Sequence, residues 1–281
     1  MSAALFGQFL LEQERINVEQ FHTALAHLRR KNKSLGELAV DSRLMTEREV
    51  AQLNREQRNT DLMLGELAVH AGLLTEPDLE RLLILQQATR VNLTDVLVEL
   101  GYIGESLAAE LTRDFSAQQR ASRTQCEREL KQIPQSESLQ LCLNELIKSL
   151  QRICRQSVVI QRVYSRRELQ KRLPYVVLQQ VSGDFHFHFG MALAAQQVQR
   201  ISSSLSGEPI AEGYIPVAAM ERFSDIVIQN ACEKFVLQGR KSSADKPKAF
   251  FVGDHMPACK DLIGVQMRSD DGDFDAVFFA S

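Results

Sequence analysis

The sequence predicts two domains: an all-α module of repeated helix pairs, followed by an α+β domain with an antiparallel sheet and two long helices. Two observations support this prediction. A 29-residue repeat runs through residues 1–115, and after about residue 154 the apolar residues change from the helical period to the period of two that strands show. Residues 116–136 are polar and form the predicted linker, so the second domain covers residues 137–281.

The internal repeat is visible in the phrase "LGELAV", which occurs at positions 35–40 and again at positions 64–69. Gly7, Gly36 and Gly65 keep the same spacing, and the next step reaches Thr94 in a segment of similar pattern. A fixed period of this length is typical of modules in which one supersecondary unit recurs. We therefore predict four units. Because a single helix pair cannot bury its own apolar face, the units are expected to stack into a compact module.

Within each unit, a helix-capping residue marks the start of the second helix. A residue with a capping oxygen is followed three positions later by one that can return the hydrogen bond: Asn17 and Gln20, Thr46 and Glu49, and Thr75 and Asp78. This spacing is typical of the capping box, which satisfies free backbone amides at a helix start. The fourth unit has Gly104 there, a weaker cap. Each unit is predicted to contain a helix of about eight residues, a turn and a helix of about twelve.

The phrase "LGELAVHAGLLTEPDLERLLILQQ" resembles the MshEN-type domain found at the N-terminus of type II secretion and type IV pilus assembly ATPases. The resemblance covers roughly residues 1–115. Family members that bind cyclic di-GMP have a motif that opens with Arg-Leu-Gly, contains a second Gly and closes with Gln. Carried over position by position, the resemblance implies these ligand-binding residues: Leu35, Gly36, Gln57, Leu64, Gly65, Gly72 and Gln86.

The chain departs from that motif at the arginine, whose position in the four units is held by Leu5, Ser34, Met63 and Asn92. An arginine can give guanine two donors or stack on it, and none of these residues replaces that role. The second unit also has Arg43 in place of the second glycine. Two uses of the module stay open: a scaffold for a protein partner, such as a pilus or secretion component, and a sensor of cyclic di-GMP.

The second domain begins with an amphipathic helix over residues 138–154. Two strands follow, "SVVIQRV" and "YVVLQQV", and a two-residue turn at Ser182 and Gly183 is predicted to join the second of them to "DFHFHFG". Two helices come next, one from Met191 and one from Val217, each closed by glycine. The strands "KAFFVG", "LIGVQMRS" and "DFDAVFFA" complete an α+β order, and "DDG" joins the last two as a hairpin.

This order of elements, over residues 136–281, resembles the CheX family of chemotaxis proteins, which is related to the CheC phosphatases. Three features carry the resemblance: the hairpin into "GMALAAQQVQRISSSLSGEPI", the long helix with "IVIQNACEKF", and the closing hairpin. Phosphatases of this group act on phosphorylated receiver domains through a Glu and an Asn three residues apart on the long helix. The resemblance implies that these side chains position a water for in-line attack on an aspartyl phosphate.

The two phosphatase positions are altered in this chain. Anchored on Asn230, they fall on Arg222 and Asp225, which are not an acid and an amide. A shift by one residue gives Glu221 and Ser224, and a helix places either pair on one face. The charge of Arg222 would attract phosphate or the acidic rim of a receiver domain. The residues to test for catalysis are Glu221, Asp225 and Asn230.

Together these resemblances imply a cytoplasmic bacterial signalling adaptor in motility, pilus or secretion control, with a CheX-like domain whose phosphatase motif is degenerate. The alternatives are an active phosphatase of a phosphorylated response-regulator receiver domain and a cyclic di-GMP sensor. We expect no metal, enzyme activity only if the phosphatase alternative holds, and cyclic di-GMP as a ligand only if the sensor alternative holds. The expected partner is a receiver domain or a pilus or secretion component. Pairing of two copies through the CheX-like domain is a further expectation.

Composition argues against other classes of protein. A net charge of -3 and a pI near 6.1 give no general attraction to nucleic acid. No stretch approaches about eighteen uncharged apolar residues, and the first segment lacks the basic region of a signal peptide, so we expect no membrane insertion. The five cysteines are spread widely without a CxxC pair, which predicts reduced thiols.

Two histidine-containing segments and one arginine-rich segment are further candidate sites. His186 and His188 alternate with phenylalanines, which favours a half-exposed sheet face or a subunit contact over a metal pair. His255 lies beside Asp254 in a predicted solvated loop. The arginine-rich segment 152–172 is predicted to be a solvated edge, and an acidic partner or an anionic ligand is the alternative.

Overall fold

The computed structural model describes residues 2–57, 62–166, 173–208, 210–211, 214–251 and 262–280. The chain divides into two compact units, and the boundary lies between Phe115 and Ser116. The first unit is helical in its described part, whereas the second combines helices with an antiparallel sheet. Within the described residues no helix has the length and apolar character needed to cross a membrane.

The helices of the first unit alternate between short and longer elements. In chain order they are α1 (Ala3–Glu12), α2 (Val18–Lys31), α3 (Leu35–Asp41), α4 (Glu47–Glu56), α5 (Leu64–His70), α6 (Glu76–Thr89), α7 (Leu93–Glu99) and the first part of α8 (Glu105–Lys131). Corresponding helices begin at one constant interval, at positions 35, 64 and 93 for the short ones and at positions 18, 47, 76 and 105 for the longer ones. The period in the sequence is therefore the period of the helix pairs.

The predicted caps of the longer helices are present. Asn17, Thr46 and Thr75 each accept a hydrogen bond from the backbone amide three residues later, and that later residue accepts one from the cap amide. At the start of α8 the Gly104 carbonyl accepts from the Ala108 amide at 2.9 Å, and glycine has no side chain to add. The sequence thus placed these helix starts correctly because the capping box is a local interaction.

The four helix pairs do not stack in chain order. Helix α3 packs against α5 and α6, and helix α7 packs against α1 and α2. The second and third pairs share one apolar core, whose buried residues are Leu38, Ala39, Met45, Leu53, Leu67, Ala68, Leu74 and Leu82. The first and fourth pairs meet through rings, since Phe6 and Phe9 each lie with their centroids 5.3 Å from that of Phe115. In the first unit, therefore, the second helix pair packs on the third, and the first helix pair packs on the fourth.

The glycine of the repeated phrase allows each short helix to approach its longer partner. A Cβ added to Gly36 would lie 2.6 Å from Val50 Cγ1, and one added to Gly65 would lie 2.4 Å from Leu79 Cδ1. Both contacts are too short for carbon atoms, so only glycine fits without movement of the neighbour. Close packing of two helices explains this glycine without any ligand.

The second unit begins with the remainder of α8 and contains these elements: α9 (Ser136–Ile153), β1 (Val158–Arg166), β2 (Tyr175–Gly183), β3 (Phe187–Leu193), α10 (Ala195–Ser206), α11 (Val217–Leu237), β4 (Ser242–Ala244), β5 (Lys248–Phe251), β6 (Leu262–Ser269) and β7 (Gly272–Ala280). Residues 116–131, which we assigned to a linker, continue α8 without a break. Leu130 is buried in the core of the second unit, so this stretch is part of its fold.

The strands form one antiparallel sheet in the order β1-β6-β7-β3-β2-β4, and β5 also pairs with β2. Helices α9, α10 and α11 cover one face of the sheet and share with it the main apolar core. The largest fully buried side chains of this core include Phe187, Phe189, Phe223, Phe235, Phe274 and Phe278. The phenylalanines of the segment "DFHFHFG" thus face the helices, as their alternation predicts.

Two boundaries differ from the sequence prediction. Strand β2 continues through Ser182 and Gly183, which pair with β4, so the turn lies at residues 184–186. A Cβ on Gly183 would lie 2.2 Å from the Lys241 carbonyl oxygen, which shows that this glycine serves strand contact. Met191 belongs to β3, and α10 begins only at Ala195. The apolar run after the histidines is a buried strand, which periodicity alone does not separate from a helix.

The four cysteines in the described part of the chain are free and buried: Cys126, Cys142, Cys154 and Cys232. Burial raises the pKa of each thiol, and that of Cys154 reaches about 11. These thiols are therefore protonated at neutral pH and poor nucleophiles. Cys259 lies outside the described residues.

Candidate functional site

Helix α11 carries the three residues that the sequence proposed for catalysis. Glu221 is half-buried near the start of the helix. Its Oε1 accepts a hydrogen bond from the backbone amide of Ala249 in β5, at 3.1 Å. That amide belongs to a strand of only four residues, so Glu221 anchors the edge of the sheet to the helix.

Asp225 and Ser224 belong to a polar network with Gln179 of β2. The Gln179 Nε2 donates to Asp225 Oδ1 at 3.0 Å and to the Asp245 carbonyl at 2.8 Å. The Ser224 hydroxyl donates to Gln179 Oε1 at 3.1 Å. Gln179 is only 1% exposed, and these bonds use its amide fully. Asp225 and Ser224 are therefore oriented by hydrogen bonds to a buried residue of the sheet.

Gln179 is a member of this site that the sequence analysis missed. It lies between Val177 and Val181, both fully buried, on the side of β2 that faces the helices. A polar residue at a core-facing position of an alternating strand is a signal that could have drawn attention to it, because a buried amide needs partners. The partners themselves are 45 and 46 residues away in sequence, which local patterns do not reveal.

Asn230 lies apart from the other two candidates. It is nine residues after Glu221, and a helix of 3.6 residues per turn places that position on the opposite side. Asn230 lines a depression of about 400 Å³ between α9 and α11, together with Lys148, Arg152 and Lys234. The depression also contains Glu145, 7% exposed, which forms ion pairs with Lys148 and Lys234. The structure therefore brings Asp225 to Ser224 and does not bring Asn230 to either acid.

Arg222 is the residue at which the sequence resemblance predicts one of the two phosphatase positions. Its side chain is exposed on α11, next to the half-buried Glu221. A guanidinium is always protonated and donates only, so it cannot accept a proton from water or orient one through lone pairs. It can bind a phosphate or a carboxylate through paired donors. The exposed chemistry of this part of α11 is thus that of an anion-binding side chain.

In the first unit, the motif glycines and leucines have structural roles, and Gly36 and Gly65 are buried whereas Gly72 is exposed. Gly36 and Gly65 are buried at the close contacts between helices, and Leu35 and Leu64 pack against the core of the second and third pairs. Gly72 follows α5 with φ of +69°, the left-handed conformation that ends many helices. Each of these residues has a structural role in the helix pairs.

The two closing glutamines of the motif hold equivalent loops. Gln57 Nε2 donates to the Leu62 carbonyl at 3.2 Å, and Gln86 Nε2 donates to the Lys33 carbonyl at 3.1 Å. Lys33 and Leu62 are equivalent positions of the second and third units, and each directly precedes the position where the motif has arginine. Gln57 of the second pair thus binds the residue that precedes the N-cap of α5. Gln86 of the third pair binds the residue that precedes the N-cap of α3.

Three of the four arginine positions of the motif are helix N-caps in this chain, whereas Leu5 lies inside α1. Ser34 caps α3, and its hydroxyl accepts from the Glu37 amide at 3.3 Å. The amides of Met63 and Asn92 each donate to the acid three residues later, Glu66 and Asp95. The Ser34 bonds lower the pKa of Glu37. Glu37, Glu66 and Asp95 were thus a sequence signal for the starts of the short helices, although only Ser34 completes the reciprocal pair of bonds.

The remaining candidates are the histidines of the second unit and the arginine-rich segment. His188 is half-buried and stacks on Phe279 with ring centroids 4.5 Å apart, and burial lowers its pKa. In the part of the chain that the structure describes, no group of three or more His, Cys, Asp or Glu residues is arranged to hold a metal ion. His255 and residues 167–172 of the arginine-rich segment lie outside the described residues.

Comparisons with known proteins give matches in structure alone. No family model matches the chain, and no curated protein matches it. The CheX protein of Desulfovibrio desulfuricans is 10% identical, with 52% of this chain and 99% of that chain covered and a TM-score of 0.43. CheX from Vibrio vulnificus is 13% identical, with coverage of 52% and 99% and a TM-score of 0.45.

A third match is CheX of Borrelia burgdorferi, solved as a complex with CheY, BeF3 and magnesium. It is 11% identical, with 50% of this chain and 96% of that chain covered and a TM-score of 0.39. The structural neighbours of about half of this chain are therefore CheX-like and CheC-like chemotaxis proteins.

Proposed function

We propose that the chain is a bacterial signalling adaptor that binds one protein partner through each unit and does not hydrolyse an aspartyl phosphate. The observation that carries the proposal is the engagement of the polar side chains of α11. Glu221 accepts from the Ala249 amide, and Ser224 and Asp225 are bound to Gln179. One carboxylate oxygen of Glu221, one of Asp225 and the Ser224 hydroxyl are thus bound within the fold, which fixes the orientation of these side chains.

The energetic reason is the cost of releasing these groups. Turning Asp225 or Ser224 outward would leave one N–H or the oxygen of the buried Gln179 amide without that partner, and a buried unsatisfied polar group costs about 1 to 3 kcal/mol. A catalytic pair, by contrast, has to point at the phosphoryl group with free lone pairs and fixed geometry. Arg222, which is exposed beside them, has no lone pair with which to accept a proton from water.

For the second unit we propose a receiver domain of a response regulator as partner, as the resemblance to CheX read from the sequence implies. The active site of such a partner is rich in carboxylates or carries a phosphoryl group. Arg222 is exposed on α11 and would pair with either. Binding without hydrolysis would prolong the phosphorylated state or sequester the receiver.

For the first unit we propose a protein partner, a pilus or secretion component, that binds the outer face of α6. Leu83, Ile84 and Leu85 are 47%, 61% and 41% exposed in consecutive positions of this helix. Leu82 is the buried residue of α6, so this helix carries exposed apolar side chains in addition to the one that it buries in the core. This surface is more suited to protein contact than to a nucleotide.

A dephosphorylation assay with a phosphorylated receiver domain tests the central proposal. We expect the full chain to leave the rate of phosphate loss unchanged or to slow it, and Arg222→Gln to weaken receiver binding. The matched control is Gln238→Glu, which makes the same change of charge at an exposed position at the end of the same helix. Acceleration that Glu221→Gln or Asp225→Asn removes would contradict the proposal and establish the phosphatase alternative.

Calorimetry with cyclic di-GMP tests the alternative for the first unit. We expect no heat up to high micromolar ligand, because the cap positions Ser34, Met63 and Asn92 supply no guanidinium. Saturable binding that Gln57→Ala or Gln86→Ala abolishes would instead establish a second-messenger sensor.

A further inference from the structure

A groove of about 860 Å³ lies between the second half of α8 and strand β1, entirely within the second unit. Its volume is within the range of about 300 to 1,000 Å³ that small-molecule sites occupy. The lining side chains are mostly polar or charged, and they come from residues 120–129 of α8 and 161–163 of β1. Neither α11 nor the repeats of the first unit contribute to it.

The charge of the groove is positive. Arg120, Arg128 and Arg162 line it, against one carboxylate, that of Glu129. Within the described residues none of these three arginines forms an ion pair, whereas the neighbouring Arg123 binds Glu127 at 2.9 Å. Three guanidinium groups facing one carboxylate leave two uncompensated positive charges around one space. Such convergence costs repulsion unless an anion enters.

Glu129, the carboxylate of the groove, is bound by a neutral neighbour on its own helix. Gln125 Nε2 donates to Glu129 Oε1 at 2.6 Å, within one turn of α8. On the opposite wall Arg162 Nε donates to the neutral oxygen of Gln266 at 2.6 Å, and its guanidinium lies 5.9 Å from the centre of the Tyr164 ring. Arg162 is thus oriented by neutral groups and keeps its charge available.

The strand that carries Arg162 is irregular at this point. The pairing of β1 with β6 shifts between Ile160 and Arg162, which marks a bulge. Bulges re-aim side chains and are frequent beside binding sites. The hydroxyls of Ser122 and Thr124 and the amide of Gln161 add neutral donors to the same groove.

We infer that this groove binds a small polyanion that carries two or more phosphate groups. Guanidinium donors match phosphate oxygens in pairs, and three of them on two walls suit more than one phosphate. An acidic protein segment fits less well, because stable peptide contacts need apolar anchors. The large exposed apolar side chains of the described chain lie elsewhere, and the groove offers only Ala121, Val163 and the buried Cys126.

Calorimetry on the full chain with inorganic tripolyphosphate tests the inference. We expect saturable binding that weakens as sodium chloride is raised, since salt screens exposed charges. Arg128→Gln and Arg162→Gln should each weaken binding about tenfold or more, the value of a lost charge-assisted hydrogen bond. Arg123→Gln is the matched control on the same helix and should bind like the parent. Glu129→Gln should bind more tightly because it removes the opposing charge.

Three outcomes would overturn the inference: no heat with tripolyphosphate, equal affinity of the parent and both arginine variants, or binding of a polyglutamate peptide in place of tripolyphosphate. Thermal melts of each variant separate a lost site from a lost fold. The result is independent of the receiver assay, since the groove shares no residue with α11.

Discussion

At the scale of single residues, the second glycine of the repeated motif is explained by backbone geometry. Glu14, Arg43, Gly72 and Gly101 hold the equivalent position of the four units, and all four have positive φ, between +52° and +70°. Each lies just after the short helix of its pair, where a left-handed residue commonly ends a helix. Glycine adopts this conformation freely, whereas a side chain costs about 1 kcal/mol or more there. Two of the four pairs therefore carry a strained residue at this turn.

This geometry predicts opposite effects for two substitutions. Arg43→Gly should raise the free energy of unfolding of the first unit by about 0.5 to 1 kcal/mol, because it removes the strain. Gly72→Ala should lower it by about 1 kcal/mol, and since a Cβ there meets no atom within 4 Å, the cause can only be the backbone. Urea denaturation followed by circular dichroism measures both. A loss of stability in Arg43→Gly would contradict the explanation.

At the scale of helices, each pair balances a small residue against a large one fourteen positions later. Gly7 faces Phe21, Gly36 faces Val50 and Gly65 faces Leu79. In the fourth pair Thr94 replaces the glycine, and the residue fourteen positions later is the small Ala108. In the fourth pair the larger side chain is therefore on the short helix and the smaller one is on the longer helix. The short helices α3, α5 and α7 each have seven residues. The phrase "LGELAV" recurs in two pairs because they use the same distribution of bulk.

A double-mutant cycle tests this balance. Gly65→Ala should destabilise the first unit by about 1 to 2 kcal/mol, because its Cβ would overlap Leu79. In a Leu79→Ala background the same change should cost much less, so the two substitutions should be coupled. Thr94→Ala, at a position that already carries a Cβ, is the control and should change stability by less than about 0.5 kcal/mol. Additive effects of Gly65→Ala and Leu79→Ala would show that the contact is not limiting.

Elements that depend on neighbouring residues were predictable from the sequence, and those that depend on distant partners were not. The capping boxes at Asn17, Thr46 and Thr75 are complete within four residues, so the starts of α2, α4 and α6 could be read directly. The end of β2 could not, because Gly183 remains in the strand through pairing with Ser242. The predicted start of α10 at Met191 was wrong for a related reason, because Met191 belongs to β3 and pairs with Ala276 of β7.

The candidate site shows the same division. The sequence located Glu221 and Asp225 on one helix, and the structure places them there. It did not reveal that Gln179 and the Ala249 amide each bind one of their carboxylate oxygens, because both partners come from strands far along the chain. The sequence therefore placed these residues on a helix that the structure contains, while the availability of their side chains depended on packing.

At the scale of the whole molecule, the pairing within the first unit has a thermodynamic consequence. In an open solenoid a terminal repeat contacts one neighbour, and its loss leaves the others folded. Here the first pair covers the fourth, and Leu93, Val96 and Leu97 of α7 are almost fully buried. The first unit should consequently unfold in one cooperative step.

Deletion of residues 1–31 tests this expectation. We expect the loss of helical signal to exceed that of the two deleted helices, because α7 loses the surface that buries it, and we expect strong binding of a dye that reports exposed apolar surface. The chain contains no tryptophan, so circular dichroism is the suitable probe of folding. Dye binding equal to that of the parent would show that the remaining pairs fold independently.

The nested pairing of the helices also limits how this module can evolve. Open arrays change their recognition surface by gaining or losing single copies at an end, and the new copy finds a vacant interface. Here the fourth pair already closes on the first, and the second on the third, so a fifth copy would find no vacant partner. New specificity in this unit has to arise from substitutions on outward faces such as that of α6, with the number of copies held at four.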